Sequence, residues 1–594
     1  MKKIYFRKLA MALLVMMFGL QSFAQGRIEL DPNPNVRSTQ KAQNVTMSGF
    51  SAAFSYNSIE SQQVTTERGV FSTITMGNSV AAGNIGEPQV PVTREMIAVP
   101  FGANPVVTVK NYTVKEYKLS DFGIDRIYPQ QPSVRKDQKP EDIVFHYNEE
   151  AYAVRGYDER PVAEVTVMGT MRGIQIGALQ INPLRYNAAA NTIRVYNDIE
   201  VEVSFEDADM ALTEKTLVNT YSPYFKTVYS ALYNDKAILD VYDDHPDLWA
   251  TPVKILVIAN RMFEEAMEPW LTWKTKKGFY LDVNYTDEIG TSATQIKNFC
   301  IEKYNEGVDN GQAPTFVIIF GDDQQVPCSQ IGSESQKVTD LYYYAVAGND
   351  VFGDMFHSRF TCQTVQELNN VLEKSLMYEQ YTMPDPSYLG NTLLIAGWDS
   401  NWNPKDGKPT IQYAVNYYYN AEHGFDNVYA FYEQPYNNPY ASLSTGVNFV
   451  NYTAHGSDTG WADPSFSVSN VNSLTNTDKY FWAMGNCCLA ANWGYSGKCF
   501  GEAMVCAEKK GAFAYIGSAP SSYWYEDYYF GVGATNVFYQ MPTYEQTSFG
   551  VYDAVFSEGF NSISAVPFIG NVAVAYSHAN GYQGSVSDRY YWES

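Results

Sequence analysis

Basic residues are scarce in this 594-residue chain, with 41 Lys and Arg against 65 Asp and Glu and a net charge of -24. A surface of that sign repels phosphate, which excludes a nucleic-acid binder and otherwise favours solubility. Histidine is rarer still at six, cysteine stands at seven, and neither CxxC nor HxxxH spacing occurs, which argues against a zinc site of that type. Long apolar runs are missing too. Beyond residue 20 nothing approaches the ~20 consecutive apolar residues that span a bilayer. No internal repeat and no low-complexity linker breaks the chain. What is present is ample core material, 45% hydrophobic against 18% charged residues, at a length that predicts three or four domains.

The N-terminus carries an address. Lys2, Lys3, Arg7 and Lys8 precede an apolar run over 9–20, and Ser22-Phe23-Ala24 supplies small residues where a signal peptidase inspects. This predicts a signal peptide over 1–24, cut after Ala24, and a secreted or cell-surface product. Seven cysteines in an exported chain leave at least one thiol unpaired within the chain, and the neighbours Cys487 and Cys488 seldom bridge each other. An unpaired thiol is either a buried small hydrophobe or a reactive group.

Two patterns divide the rest. Over 25–236, short runs alternate apolar and polar residues between turn signals, as in Ile199-Glu200-Val201-Glu202-Val203. That is antiparallel strand patterning and predicts an all-β, sandwich-like region. From 240 onward, continuous apolar strands at 253–259, 279–283, 316–320, 393–396, 428–432, 447–453, 480–484 and 512–516 are separated by helical stretches such as 263–276, 293–304 and 365–381. Strands apolar on both faces belong in mainly parallel sheets covered by helices, here an α/β unit in two parts, 240–386 and 387–594.

In open α/β sheets, sites form at the carboxyl ends of strands. One strand runs into Thr453-Ala454-His455-Gly456, and another into Gly485-Asn486-Cys487-Cys488. A thiol needs a base within hydrogen-bond reach to attack a carbonyl, and Gly456 lets backbone approach one. On residue types alone, a structural histidine beside a buried cysteine is the commoner arrangement, with catalysis the alternative.

Longer strings go further. Residues 451–464, Asn-Tyr-Thr-Ala-His-Gly-Ser-Asp-Thr-Gly-Trp-Ala-Asp-Pro, closely resemble the active-site histidine segment of the gingipain family of cysteine peptidases, nearest to its lysine-specific member. Gly485-Asn486-Cys487-Cys488, Cys499-Phe500-Gly501-Glu502 and the stretch from Asp240 nearly to the C-terminus extend the resemblance. It implies a caspase-like fold of two side-by-side subdomains, with Cys488 as nucleophile, His455 as base and Asp399 as the acid that orients the imidazole. The N–H groups of Gly456 and Cys488 would hold the oxyanion. Asp527, in Ser522-Tyr523-Trp524-Tyr525-Glu526-Asp527, matches the acid that receives a lysine, with Trp524 and Trp402 along the stem and Thr453 as a further acceptor. The implied function is an endopeptidase cutting protein and peptide substrates after lysine. Arginine or mixed basic specificity, and an inactive surface protein on the same fold, are the alternatives.

The resemblance also implies structural calcium, with Asp322, Asp350, the Phe352 carbonyl and Asp354 at one site and Glu502 with the Trp493 carbonyl at another. The chain departs from the family there, with an extra residue in Gly348-Asn349-Asp350 and Asp354 in place of a glutamate. The sequence ends at Tyr591-Trp592-Glu593-Ser594, about where the family's immunoglobulin-like domain begins. The β-rich region is expected to act as an inhibitory prodomain, removed by cleavage between Lys236 and Asp240. The polar loop 129–139 would offer Lys136 or Lys139 to the Asp527 pocket.

Overall fold

The computed structural model describes residues 26–578 apart from 246, 249–250, 332–333, 536–540, 548, 558–559 and 561. The expected signal peptide lies outside the described residues. The N-terminal region forms antiparallel sheets of three, four and five strands, with the long strand Asn104–Lys118 paired along Thr192–Glu206. Alternation does the sorting. Along Gly49–Phe54 every second residue is buried, and Phe50, Ala52 and Phe54 join Ile193, Val201 and Phe71 in one core. The helices Met210–Asn219 and Pro223–Ser230, capped by Asp209 and Ser222, close this region. Sequence patterning had not separated them from the β region.

The remainder holds two parallel sheets. In the first, β1 (Lys254–Ala259), β2 (Tyr280–Tyr285), β3 (Phe316–Phe320) and β4 (Phe356–Phe360) lie in the order β2-β1-β3-β4. β4 escaped the sequence reading because His357, Ser358 and Arg359 interrupt its apolar run. Asp340 satisfies the two buried ones, accepting two hydrogen bonds from Arg359 at 2.6 and 2.7 Å and one from His357 at 3.0 Å, while Ser358 bonds Ser564. In the second sheet, β5 (Asn391–Ala396), β6 (Asn427–Phe431), β7 (Phe449–Thr453), β8 (Phe481–Asn486) and β9 (Ala512–Gly517) lie in the order β6-β5-β7-β8-β9. The N-terminal region is packed into this α/β body. Met96, Ile174 and Phe225 share one core cluster with Phe316, Phe356 and Phe568, and the Phe225 ring stacks on Phe356 at 4.3 Å.

Candidate active site

Register brings three strand ends together. Ala396 at the end of β5 pairs with Thr453 at the end of β7, which pairs with Asn486 at the end of β8. Asp399, His455 and Cys488 follow these residues by two or three positions, so they share one edge of the sheet. His455 Nε2 donates to Asp399 Oδ2 at 3.0 Å. Asp399 Oδ1 accepts the Asn401 and Trp402 N–H groups, both at 2.8 Å. Burial opposes ionisation of Asp399, but the His455 bond and the two N–H donors outweigh it and hold the carboxyl below its usual range. The imidazole stands edge-on to Trp524 at 5.3 Å.

Cys488 is buried, and its thiol lies against the Ser522 carbonyl at 3.9 Å. Among the described residues no hydrogen bond joins it to His455. Burial pushes the thiol up to about 11, against the opposing pull of a nearby ammonium, that of Lys136. Cys487 is buried as well and packs under Gly456. A Cβ at 456 would lie 2.6 Å from Cys487 Sγ and 2.8 Å from the Cys488 carbonyl, so only glycine fits and its backbone abuts that of Cys488. All seven cysteines are free and buried.

Lys136 fills the pocket beside this edge. Its ammonium pairs with Asp527 Oδ2 and donates to the Asn486 carbonyl at 2.7 Å and to Thr453 Oγ1 at 3.4 Å. It sits 4.5 Å from the centre of the Trp524 ring, on which Trp402 stacks in parallel at 5.4 Å. Ser522 Oγ donates to the same Asp527 oxygen at 3.1 Å. Burial raises Asp527 to about 6 even though the adjoining ammonium pulls the other way. The backbone of 133–137 runs beside this wall as an added strand would. Lys136 N–H donates to the Ser522 carbonyl at 2.9 Å and Trp524 N–H to the Val134 carbonyl at 3.1 Å, with Arg135 bridged antiparallel to Tyr523. Lys139 is exposed, outside the pocket.

Sequence reasoning missed the Asn486 carbonyl, Ser522 and, behind the pocket, Asp406. Asp406 lies in the π-helical turn Asn403–Gly407, fully buried, and among the described residues neither carboxyl oxygen has a hydrogen-bond partner. Burial raises it far above the carboxylate range, the Lys136 ammonium opposing and Asp527 reinforcing the shift. Asn-Pro-Lys-Asp-Gly reads as an exposed polar turn, so no sequence signal marked it.

At the first expected calcium site Asp350 and Asp354 do not fit that ion in this form, because backbone N–H groups already occupy both oxygens of each carboxylate. Asp350 accepts the N–H groups of Thr170 at 2.7 Å and Phe352 at 2.8 Å. Asp354 accepts those of Arg172, Val346 and Ala347. Asp322 is held apart by Asp323 N–H and the Gln363 amide, near Glu502. Glu502 accepts the Cys499 N–H with one oxygen while the other has no partner among the described residues, and burial and Asp322 raise it to about 8. The Trp493 indole donates to Cys328 Sγ. Among the described residues no group of three or more acids, histidines or cysteines is placed to hold a metal.

A cysteine and a carboxylate-backed histidine at neighbouring ends of a parallel sheet, with an antiparallel region packed in front, define a caspase-like cysteine peptidase carrying its propeptide. The chain belongs to peptidase family C25, whose profile matches residues 249–588, with the propeptide profile of that family matching 26–224. It is 47% identical to Lys-gingipain of Porphyromonas gingivalis over 592 residues, 99% of this chain and 34% of that protein. It is 25% identical to gingipain R2 of the same species over 525 residues, 86% of this chain and 67% of that protein. A solved structure described as "Structure of Protease" aligns with a TM-score of 0.55 at 49% identity, covering 60% of this chain and 79% of that one. The chain thus spans about a third of the length of the Lys-gingipain it matches.

Proposed function

We propose that this chain is the exported zymogen of an endopeptidase that cuts proteins and peptides after lysine, held latent by Lys136 of its own propeptide. The observation that carries this reading is the set of acceptors around the Lys136 ammonium. Asp527, the Asn486 carbonyl and the Thr453 hydroxyl match the three donors of an ammonium, which lies over the Trp524 ring. A guanidinium presents a planar fork of five donors, which this compact set does not satisfy. The name of the relative Lys-gingipain supports the same specificity.

In this mechanism Cys488 attacks the carbonyl after lysine as a thiolate, and His455 takes the thiol proton. Asp399 holds the imidazole and favours its charged form. The Gly456 and Cys488 N–H groups receive the oxyanion. His455 then returns the proton to the leaving amine, and water hydrolyses the thioester. Latency has a physical cause on the same edge. In this form the thiol is buried, which keeps it protonated, and among the described residues it makes no hydrogen bond to the imidazole. The test is cleavage of a peptide library by the enzyme freed of residues up to 236. Cleavage confined to bonds after lysine is expected. Equal cutting after arginine would replace this reading with mixed basic specificity. Absence of turnover and of labelling by a lysine-directed thiol reagent would leave an inactive binding protein.

A further inference from the structure

Far from the pocket, a second buried basic side chain ties the propeptide to the first subdomain. Arg172 stands at the tip of the hairpin formed by Ala163–Met171 and Ile174–Ile181, where an arginine is ordinarily solvated. Here it is fully buried. Its guanidinium has five N–H donors and meets five acceptors. Nε donates to the Thr220 carbonyl at 2.8 Å. Nη1 donates to the carbonyls of Pro314 at 2.6 Å and Asp354 at 2.8 Å, and Nη2 to the Ala313 carbonyl at 3.1 Å and Thr315 Oγ1 at 3.3 Å. The Phe225 ring lies 4.6 Å from the guanidinium carbon. The turn is built to reach inward, with Arg172 itself at φ 39° and Gly173 at φ 85°. A Cβ at 173 would lie 2.4 Å from Thr220 Oγ1. Backbone adds to the grip, since Thr170 N–H donates to Asp350 and Arg172 N–H to Asp354.

We infer that the Arg172 hairpin tip is a second docking element of the propeptide, seated in a socket of the first subdomain and separately breakable from the Lys136 plug on the second. The inference rests on the zymogen reading only in assigning residues up to 236 to the propeptide. The socket is lined on the enzyme side by Ala313, Pro314, Thr315, Asp350 and Asp354, and it fits one arginine presented by a tight turn. Lysine cannot replace it, because a single ammonium offers three donors without the planar fork.

The test is hydrogen exchange, read by mass spectrometry, on the full chain in a Cys488→Ala background that cannot cut itself. Arg172→Ala should speed exchange of the amides of residues 170, 172, 346 and 347 at least tenfold, leaving those of 136 and 524 at the parent rate. Arg172→Lys should restore little of that protection. Lys136→Ala should do the converse, loosening 136 and 524 alone. Asp350→Ala, made outside the propeptide, should loosen 170 and 172 as well, so a poorly folded Arg172→Ala chain does not end the test. Unchanged exchange at 170 and 172 in both variants would overturn the inference. So would loosening of both regions by either substitution, which would mean a single clamp. A Lys136→Ala chain that keeps the parent rate at 136 and 524 would count instead against the pocket plug, leaving the hairpin docking as inferred.

Discussion

Asp527 meets the charge of whatever basic side chain enters the pocket, and its own proton depends on that occupancy. Burial raises it, and the Lys136 ammonium pulls it back to about 6. Docking of a lysine therefore releases a proton. Affinity for plug or substrate should be full at alkaline pH, fall as pH drops below the pKa of the empty pocket, and level off below about 6. Measuring inhibition of the freed enzyme by a lysine peptide from pH 5 to 9 checks the sign. Asp527→Asn should lower kcat/KM on lysine substrates by on the order of 100-fold, since truncating one partner of a buried charge pair costs ~2–5 kcal/mol. Asp406 lies behind the same pocket but is buried as the neutral acid, so Asp406→Asn should change kcat/KM by less than about threefold, a loss under ~0.7 kcal/mol. A loss as large as that of Asp527→Asn would show that Asp406 is ionised. For the two adjacent thiols, Cys488→Ala should abolish turnover, whereas Cys487→Ala should keep it and lower Tm through a small core cavity. At this scale the residues quoted in strings were legible. Asp406 was not, because only the packing of its turn removes it from water.

In the proposed zymogen the latency element is 133–137, docked like an added strand along 521–526. Apart from the Lys136 head group, it is held by backbone hydrogen bonds to Ser522 and Trp524, by side-chain bonds from Ser133 Oγ to Glu526 at 2.6 Å and from Ser521 Oγ to Asp137 at 2.8 Å, and by Val134 packed in the core cluster of Trp524. Lys136→Met keeps a stem against Trp524 but leaves Asp527 unpaired, so the zymogen should gain activity without cleavage, read as turnover of a lysine peptide by the intact chain. Cys488 is buried with the strand docked. With that thiol raised to about 11, its thiolate fraction at pH 8 falls on the order of 100-fold below that of an ordinary cysteine. Alkylation of intact zymogen by iodoacetamide should keep rising tenfold per pH unit past pH 9, and a plateau near 8.5 would contradict the buried thiol. Strands β1, β3, β5 and β9 were legible as apolar runs. β4 was not, since His357 and Arg359 are satisfied by Asp340 and Ser358 by Ser564, and periodicity cannot see a partner.

Across the whole molecule, propeptide and enzyme share a core rather than a wet interface. Met96 and Ile174 pack with Phe225, Phe356 and Phe568 in one cluster. Apolar area of that kind drives folding, so residues 240–594 alone should refold in low yield from denaturant, and residues 25–236 supplied in trans should raise it. Equal yields with and without the propeptide would contradict this. Composition, charge and strand periodicity determined by themselves that this is an acidic α/β chain with a β-rich front, because burial follows local pattern. The motif strings marked Cys488, His455, Asp399 and Asp527 as candidates. Which lysine plugs the pocket, that Asp350 and Asp354 face a propeptide hairpin, and that Arg172 is buried were decided by tertiary structure alone. Each is a contact between residues tens to hundreds of positions apart, and sequence pattern carries no record of which partner satisfies a buried charge.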